Sequence, residues 1–318
     1  MSNHYSLEGM AVQYRQFFFQ DDDETKIYVH EWLPDRRDAV KGMLQIIHGM
    51  GEHALRYQHF AKALTENGYA TYALDHRGHG LTGKDTNTLG YLGPDGFHRL
   101  VENVDGLFTH MQAAFPEIPM YLFGHSMGSF VAQRYLQVHG ERINGVILSG
   151  SNGKLSPMVN FGIFLAKRIA KRRGETFQSK ILDQLSFGSY NKKFQPNRTG
   201  FDWLSREAAE VDKYIQDPLC GAVLAAGSFR DFLQGLKAIQ KPSALRAIPK
   251  QLPIYILSGD QDPVGEFGQG VVALVNLYKK YSIEHVEYKL YKESRHEILN
   301  ETDRKQVEQD VISWLNQR

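Results

Sequence analysis

Tyr121-Leu-Phe-Gly-His-Ser-Met-Gly-Ser-Phe130 is the stretch on which the fold turns. An apolar, strand-like run, Met120-Tyr-Leu-Phe123, meets a run of helical spacing, Ser126 to His139, with Gly124-His-Ser-Met-Gly128 at the junction. A strand that turns abruptly into a helix forces its middle residue into a strained conformation, and side chains on the flanking positions would collide. Gly124 and Gly128 remove those side chains, which lifts the Ser126 hydroxyl clear of the sheet. The helix N-terminus beneath adds partial positive charge where an oxyanion would form. In a chain with 29 glycines a G-x-S-x-G can arise by chance, so the strand before and the helix after carry the weight.

Working outward, Met43-Leu-Gln-Ile-Ile47, a helical segment around Tyr57 to Asn67, and Ala70-Thr-Tyr-Ala-Leu74 precede the elbow, followed by helical spacing over Leu100 to Phe115. Gly145-Val-Ile-Leu-Ser149 follows it. Strand and helix alternate, which predicts a mostly parallel central sheet with helices on both faces. Gln13 to Phe19 and Lys26 to Trp32 read as strands joined by Gln20-Asp-Asp-Asp-Glu24, expected as a solvated hairpin loop rather than a metal site. After Ser149 the alternation stops. Residues 151–240 read as an inserted helical lid on a core formed by 1–150 and 241–318. Pro253-Ile-Tyr-Ile-Leu257 resumes the sheet, then a helix over Gly268 to Tyr281, strand Val286 to Tyr291 and an amphipathic helix, Asp303 to Asn316.

A serine hydroxyl needs a base to take its proton, and the base needs a partner that holds its tautomer. With this elbow the chain order is serine, acid, histidine. Two histidines follow the insert. His285 opens a strand and is expected to face solvent. His296 lies in the loop past a strand's C-terminal end, the edge where open parallel sheets bind ligands. The acid comes from Ser258-Gly-Asp-Gln-Asp262, and spacing leaves both Asp260 and Asp262 open. The oxyanion needs N–H donors: Met127 follows the nucleophile, and Met50 sits in His48-Gly-Met-Gly51, where Gly49 and Gly51 let the backbone approach closely.

Composition narrows the field. The 318 residues, 42% hydrophobic and 23% charged, suit one large α/β domain with an insert. Thirty-seven basic against 36 acidic residues leave no excess for a nucleic-acid partner. The sole cysteine, Cys220, cannot form an intrachain disulfide and reads as structural filler. No clustered His/Cys ligands suggest a metal, and no cofactor is expected. The first ten residues lack a basic, then apolar, leader pattern, and no apolar run reaches the roughly 20 residues of a membrane span, so a cytoplasmic protein is expected.

Together His48-Gly-Met-Gly-Glu-His53 with Arg56-Tyr57, Asp75-His-Arg-Gly-His-Gly80, Gly124-His-Ser-Met-Gly128, Gly259-x-x-Asp262 and His296-Glu297 resemble the monoglyceride lipase and lysophospholipase branch of the α/β hydrolases, often grouped with the serine aminopeptidases. The resemblance runs from about residue 15 to the end. It implies the α/β-hydrolase fold, a Ser126, Asp262, His296 triad with Asp262 chosen over Asp260, and Met50 as second oxyanion donor. Glu52, His53, Arg56, Asp75, Arg77 and His79 are then expected to brace these loops. The implied substrate is a small-molecule ester, a single-chain lipid. Leu155, Met158, Val159, Phe161, Ile163 and Phe164 beside Lys167-Arg-Ile-Ala-Lys-Arg-Arg173 either form a flap that touches lipid aggregates or pack on the core with the bases solvated. Two alternatives stand: an aminopeptidase holding a substrate amine through Glu207, Glu210 or Asp212, and a non-catalytic receptor on the same scaffold.

Overall fold

The computed structural model describes residues 4–5 and 12–318. Most of the first ten residues, read above for a leader, therefore lie outside the described residues. The chain folds in the order β1 (His4–Tyr5), β2 (Val12–Gln20), β3 (Lys26–Pro34), β4 (Gly42–Ile47), α1 (Gln58–Glu66), β5 (Tyr69–Leu74), α2 (Gly80–Asp85), α3 (Gly96–Ala114), β6 (Met120–His125), α4 (Met127–His139) and β7 (Gly145–Ser149). Then come α5 (Val159–Arg173), α6 (Lys180–Phe187), α7 (Ala208–Gln216), α8 (Ala226–Ile239), α9 (Pro242–Ala247), β8 (Ile254–Gly259), α10 (Gln269–Lys280), β9 (Val286–Tyr291) and α11 (Arg304–Leu315).

The strands form one sheet in the order β1-β2-β3-β5-β4-β6-β7-β8-β9. β1, β2 and β3 are antiparallel and β3 runs antiparallel to β5, whereas β5-β4-β6-β7-β8-β9 are parallel throughout. Every residue of β4, β5, β6, β7 and β8 is buried, as expected for strands covered on both faces. The two-residue period sorts them between two cores. Met43, Ile47, Met120, Leu122, Val146, Leu148, Ile254 and Ile256 join the core that includes residues of α3, α4 and α10. Leu44, Ile46, Tyr121, Phe123, Ile147, Tyr255 and Leu257 point the other way, onto residues of α1 and α11. This is the α/β-hydrolase fold.

The alternation expected from sequence is present, with α2 as an element the sequence reading did not isolate. Its six residues begin at Gly80 and are held at their start by the Asp75 carboxylate, which accepts the N–H of Leu81 at 2.7 Å. One expectation is corrected. The acidic loop after β2 is not simply solvated: the Asp21 side chain is only 7% exposed and accepts from Arg77 at 2.7 Å and Asn103 at 3.1 Å. Asp23 shares Arg77 and also takes Arg99 at 2.9 Å. Arg77 and Arg99 gather the carboxylates and tie the β2–β3 hairpin to the loop before α2 and to α3.

Candidate active site

Ser126 sits between β6 and α4 with φ 52° and ψ −120°. A non-glycine residue there is strained, and strain of this kind persists only where the surroundings enforce it. The enforcement is steric. A Cβ on Gly128 would lie 2.1 Å from the Ile47 carbonyl oxygen, and one on Gly124 would lie 2.6 Å from the Gly128 oxygen. The elbow is thus wedged against the end of β4, and no larger residue fits at either flank.

His296 follows β9 and is buried, as is Asp262 in the loop past β8. His296 Nδ1 lies 2.9 Å from Asp262 Oδ1. That oxygen also accepts the Val264 N–H at 2.8 Å, and Oδ2 accepts the Ser258 hydroxyl at 3.1 Å. Burial alone would raise the Asp262 pKa, but the His296 charge and hydrogen bond outweigh it and hold the carboxyl below its ordinary range. For His296, burial lowers and the Asp262 charge and hydrogen bond raise, and the net pKa lies above the usual imidazole value. Both shifts describe one buried pair that favours the ionised carboxylate. Asp260 is turned elsewhere: its Oδ1 accepts the Glu293 N–H at 2.8 Å. His285 is exposed and meets Gln251 at 3.1 Å.

Loop 48–53, after β4, leans directly on the elbow: a Cβ on Gly49 would approach the Ser126 Cβ to 3.1 Å. His48 Nε2 accepts the His76 N–H at 3.0 Å, so Nδ1 carries the proton and donates to the Gly49 oxygen at 2.7 Å. Burial first, then the neighbouring His79, pushes the His48 pKa down to about 3, so the ring is neutral.

Two cavities meet at Ser126 and Met50. One, of 460 Å³, is lined by Met127, Phe130, Phe229, Phe232, Leu233 and Leu236 among other apolar groups. The other, of 470 Å³, is lined by His296, Glu52, Lys180, Asp183, Trp203 and Tyr214, among others. Glu207, Glu210 and Asp212 line neither. Glu210 is engaged by Lys213 and Arg304, and Asp212 by Arg198.

Sequence reasoning placed Glu52 and Arg56 as braces but missed their partner. Glu52 accepts the Gly49 N–H at 2.6 Å, the Tyr57 hydroxyl at 2.8 Å and Arg56 Nη1 at 2.7 Å. Arg56 grips Glu297, the neighbour of His296, through two bonds of 2.6 and 2.7 Å. Its guanidinium also lies 5.0 Å from the Tyr214 ring centre in α7. The loop after β4, the loop that carries His296 and α7 therefore share one largely enclosed cation. A 241-residue separation leaves no local sequence signal for this contact.

The apolar stretch at the start of α5 divides between its two readings. Val159 and Ile163 are buried, whereas Met158, Phe161 and Phe164 are 59%, 49% and 55% exposed. Ile181 and Leu185 of α6 are exposed as well. The bases Lys167, Arg168, Lys171, Arg172 and Arg173 are exposed along the second half of the same helix. Among the described residues, no helix is long and apolar enough to cross a membrane.

A strained serine elbow on a parallel sheet, with a buried His–Asp pair whose histidine lines a cavity that the serine also lines, fits one class: a serine ester hydrolase of the α/β-hydrolase fold. Within that class the chain belongs to the family described as serine aminopeptidase, S33, whose model matches residues 38–303. It is 30% identical to a monoacylglycerol lipase of Mycolicibacterium smegmatis, over 91% of this chain and 92% of the relative. It is 27% identical to the monoglyceride lipase of Homo sapiens, over 93% and 88%. The crystal structure of a highly thermostable carboxyl esterase from Bacillus coagulans, in complex with glycerol, superposes with a TM-score of 0.89 at 31% identity, covering 95% of this chain and 98% of that one.

Proposed function

We propose that this enzyme hydrolyses single-chain lipid esters, monoacylglycerols or lysophospholipids, by a Ser126, His296, Asp262 triad through an acyl-enzyme. The observation that carries the reading is the pair of cavities at Ser126: an apolar one suited to an acyl chain and a more polar one suited to the alcohol. The names of the relatives point the same way. His296 takes the Ser126 proton as the hydroxyl oxygen attacks the ester carbonyl, and Asp262 holds the imidazole tautomer. The N–H groups of Met50 and Met127 receive the oxyanion; Met127 is the first residue of α4, a position whose N–H has no intrahelical acceptor. The alcohol departs with the proton from His296, and water repeats the sequence on the acyl-serine. No step requires a cofactor.

Residues 151–240 act as the lid in this reading. Exposed Met158, Phe161 and Phe164 beside the cationic half of α5 suit peripheral contact with lipid aggregates. A cytoplasmic location is part of the proposal, and cell fractionation tests it. The aminopeptidase alternative loses its amine-binding candidates, because Glu207, Glu210 and Asp212 do not line the cavities.

The test is hydrolysis of p-nitrophenyl esters from acetate to palmitate, beside monoacylglycerol and lysophosphatidylcholine, with Ser126→Ala as control. Turnover that peaks at medium or long chains and disappears in the variant supports a lipid esterase. Turnover confined to acetate, or surviving Ser126→Ala, removes the reading. Binding without turnover of any ester favours the receptor alternative.

A further inference from the structure

Asp217-Pro-Leu-Cys-Gly221 forms a tight turn at the end of α7. Asp217 Oδ1 accepts the Leu219 N–H at 2.8 Å, and the Asp217 carbonyl accepts the Cys220 N–H at 3.0 Å. The turn is seated on the loop after β4, because the Gly221 N–H donates to the Gly51 oxygen at 2.8 Å. From that loop comes His53, whose Nε2 lies 2.9 Å from Asp217 Oδ2. One ligand atom each from His53, Asp217 and Cys220 lies within 4.8 Å of the others, and His53 is buried. Among the described residues this is the one such grouping of three potential metal ligands.

We infer that His53, Asp217 and Cys220 form a binding site for one thiophilic divalent cation of the Zn²⁺ class. Zinc bonds to nitrogen, oxygen and sulfur are about 2.0–2.3 Å, which sets ligand atoms of a tetrahedral site roughly 3.3–3.7 Å apart. The three atoms need only small shifts to reach that spacing. The Leu219 and Gly221 bonds hold the turn without using Asp217 Oδ2 or the thiol. A nitrogen, a carboxylate oxygen and a sulfur select a borderline-soft ion over Mg²⁺ or Ca²⁺, which prefer all-oxygen shells. The fourth position is left for water.

The surrounding charge favours a cation. Arg56 is the cation shared by Glu52 and Glu297, and Asp217 adds a third carboxylate nearby. Three carboxylates against one guanidinium leave an excess of two negative charges, three once Cys220 is a thiolate, and a divalent ion would offset two of them. Burial pushes the Cys220 thiol up despite Arg56, so the ion must displace its proton. Two protons move. The Cys220 S–H bond breaks and its proton goes to solvent as the sulfur–metal bond forms. The His53 Nε2 proton, held at the Asp217 carboxylate, leaves Nε2 and is replaced by one on Nδ1, so a neutral imidazole adds nothing to the single proton released. An ion here would fasten the turn after α7 to the loop that carries Met50.

The full chain, stripped with chelator, is titrated with ZnCl₂ by calorimetry in two buffers of different ionisation enthalpy, and with CoCl₂ by absorption spectroscopy. The expected result is one Zn²⁺ per chain, one proton released, and a thiolate-to-cobalt charge-transfer band. Cys220→Ser and Asp217→Asn should each weaken binding at least tenfold, with metal-free melting temperatures close to that of the parent. Absence of stoichiometric binding, a missing thiolate band, or binding undiminished in Cys220→Ser overturns the site. The readouts are independent of turnover, so their failure is distinguishable from failure of the ester-hydrolysis reading.

Discussion

Replacing Arg56 by methionine tests whether one buried cation holds the catalytic loops together. The Arg56 side chain is 11% exposed and those of Glu52 and Glu297 are 4% and 7% exposed, so solvent does little to screen what the substitution leaves behind. Removing one partner of a buried ion pair typically costs about 3–5 kcal/mol, because the other charge is stranded. The two carboxylates are not stranded equally. Glu52 keeps the Gly49 N–H and the Tyr57 hydroxyl, whereas Glu297 keeps the Asn300 side-chain amide at 2.9 Å. Most of the cost therefore falls on Glu297, and Arg56→Met with Glu297→Gln should recover at least half of it. At roughly 2 °C per kcal/mol for a chain of this size, the single variant melts about 6–10 °C lower. The pH dependence follows from Glu52. Burial raises its pKa and Arg56 lowers it, with a net value below the ordinary one. A depressed carboxyl contributes stability that is present above the unfolded pKa of about 4.3 and lost as pH falls through the folded value. The share of the gap that Glu52 carries should thus be full at pH 7 and lost as the pH falls below about 4. Thermal melts by circular dichroism measure it, with p-nitrophenyl butyrate turnover alongside, where displaced loops should lower kcat about 100-fold. A variant within 2 °C and threefold of the parent would refute the argument.

Three further outcomes are expected. With His296 as the proposed general base, its raised pKa should place the acidic limb of kcat/KM above the ordinary imidazole value of about 6.5, because a base acts through its neutral ring, which is lost as pH falls; a pH–rate profile that falls off well below 6 would contradict the His–Asp pairing. Asp262→Asn should reduce kcat by about 10⁴, as the equivalent change does in a serine protease, whereas Asp260→Asn should stay within a fewfold; steady-state kinetics of both variants separate them. Gly128→Ala should abolish turnover and either fail to fold or melt far below the parent, since its Cβ would meet a backbone oxygen at 2.1 Å; a soluble, active Gly128→Ala would sink the steric account of the elbow.

How legible each feature was depends on how local its cause is. The elbow was readable because its constraint acts within five residues and tolerates only glycine on its flanks. The sheet strands were readable because short, fully buried apolar runs have few other homes. Asp260 and Asp262 could not be separated by spacing, since both follow Gly259 in one loop; the structure turns Asp262 to His296 and Asp260 to Glu293. Arg56 and Glu297 illustrate the opposite limit, a contact assembled only when two distant loops meet. Asp21 misled for the same reason: a run of acids reads as solvated until the arginines that collect it, far along the chain, are in place. The exposed half of α5 was undecidable from composition, because helix phase rather than content sorts Val159 from Phe161.

The connection between β7 and β8 runs from residue 150 to 253. A parallel crossover needs only a dozen or so residues. The surplus adds no strand to the sheet; Phe229, Phe232, Ile239 and Leu245 anchor it in the main core, and it lines both cavities. In the proposed reading, appetite and chemistry are written largely in different stretches of chain. Exchange of that stretch between relatives would then change an enzyme's diet while the sheet that carries the serine, aspartate and histidine stays as it was.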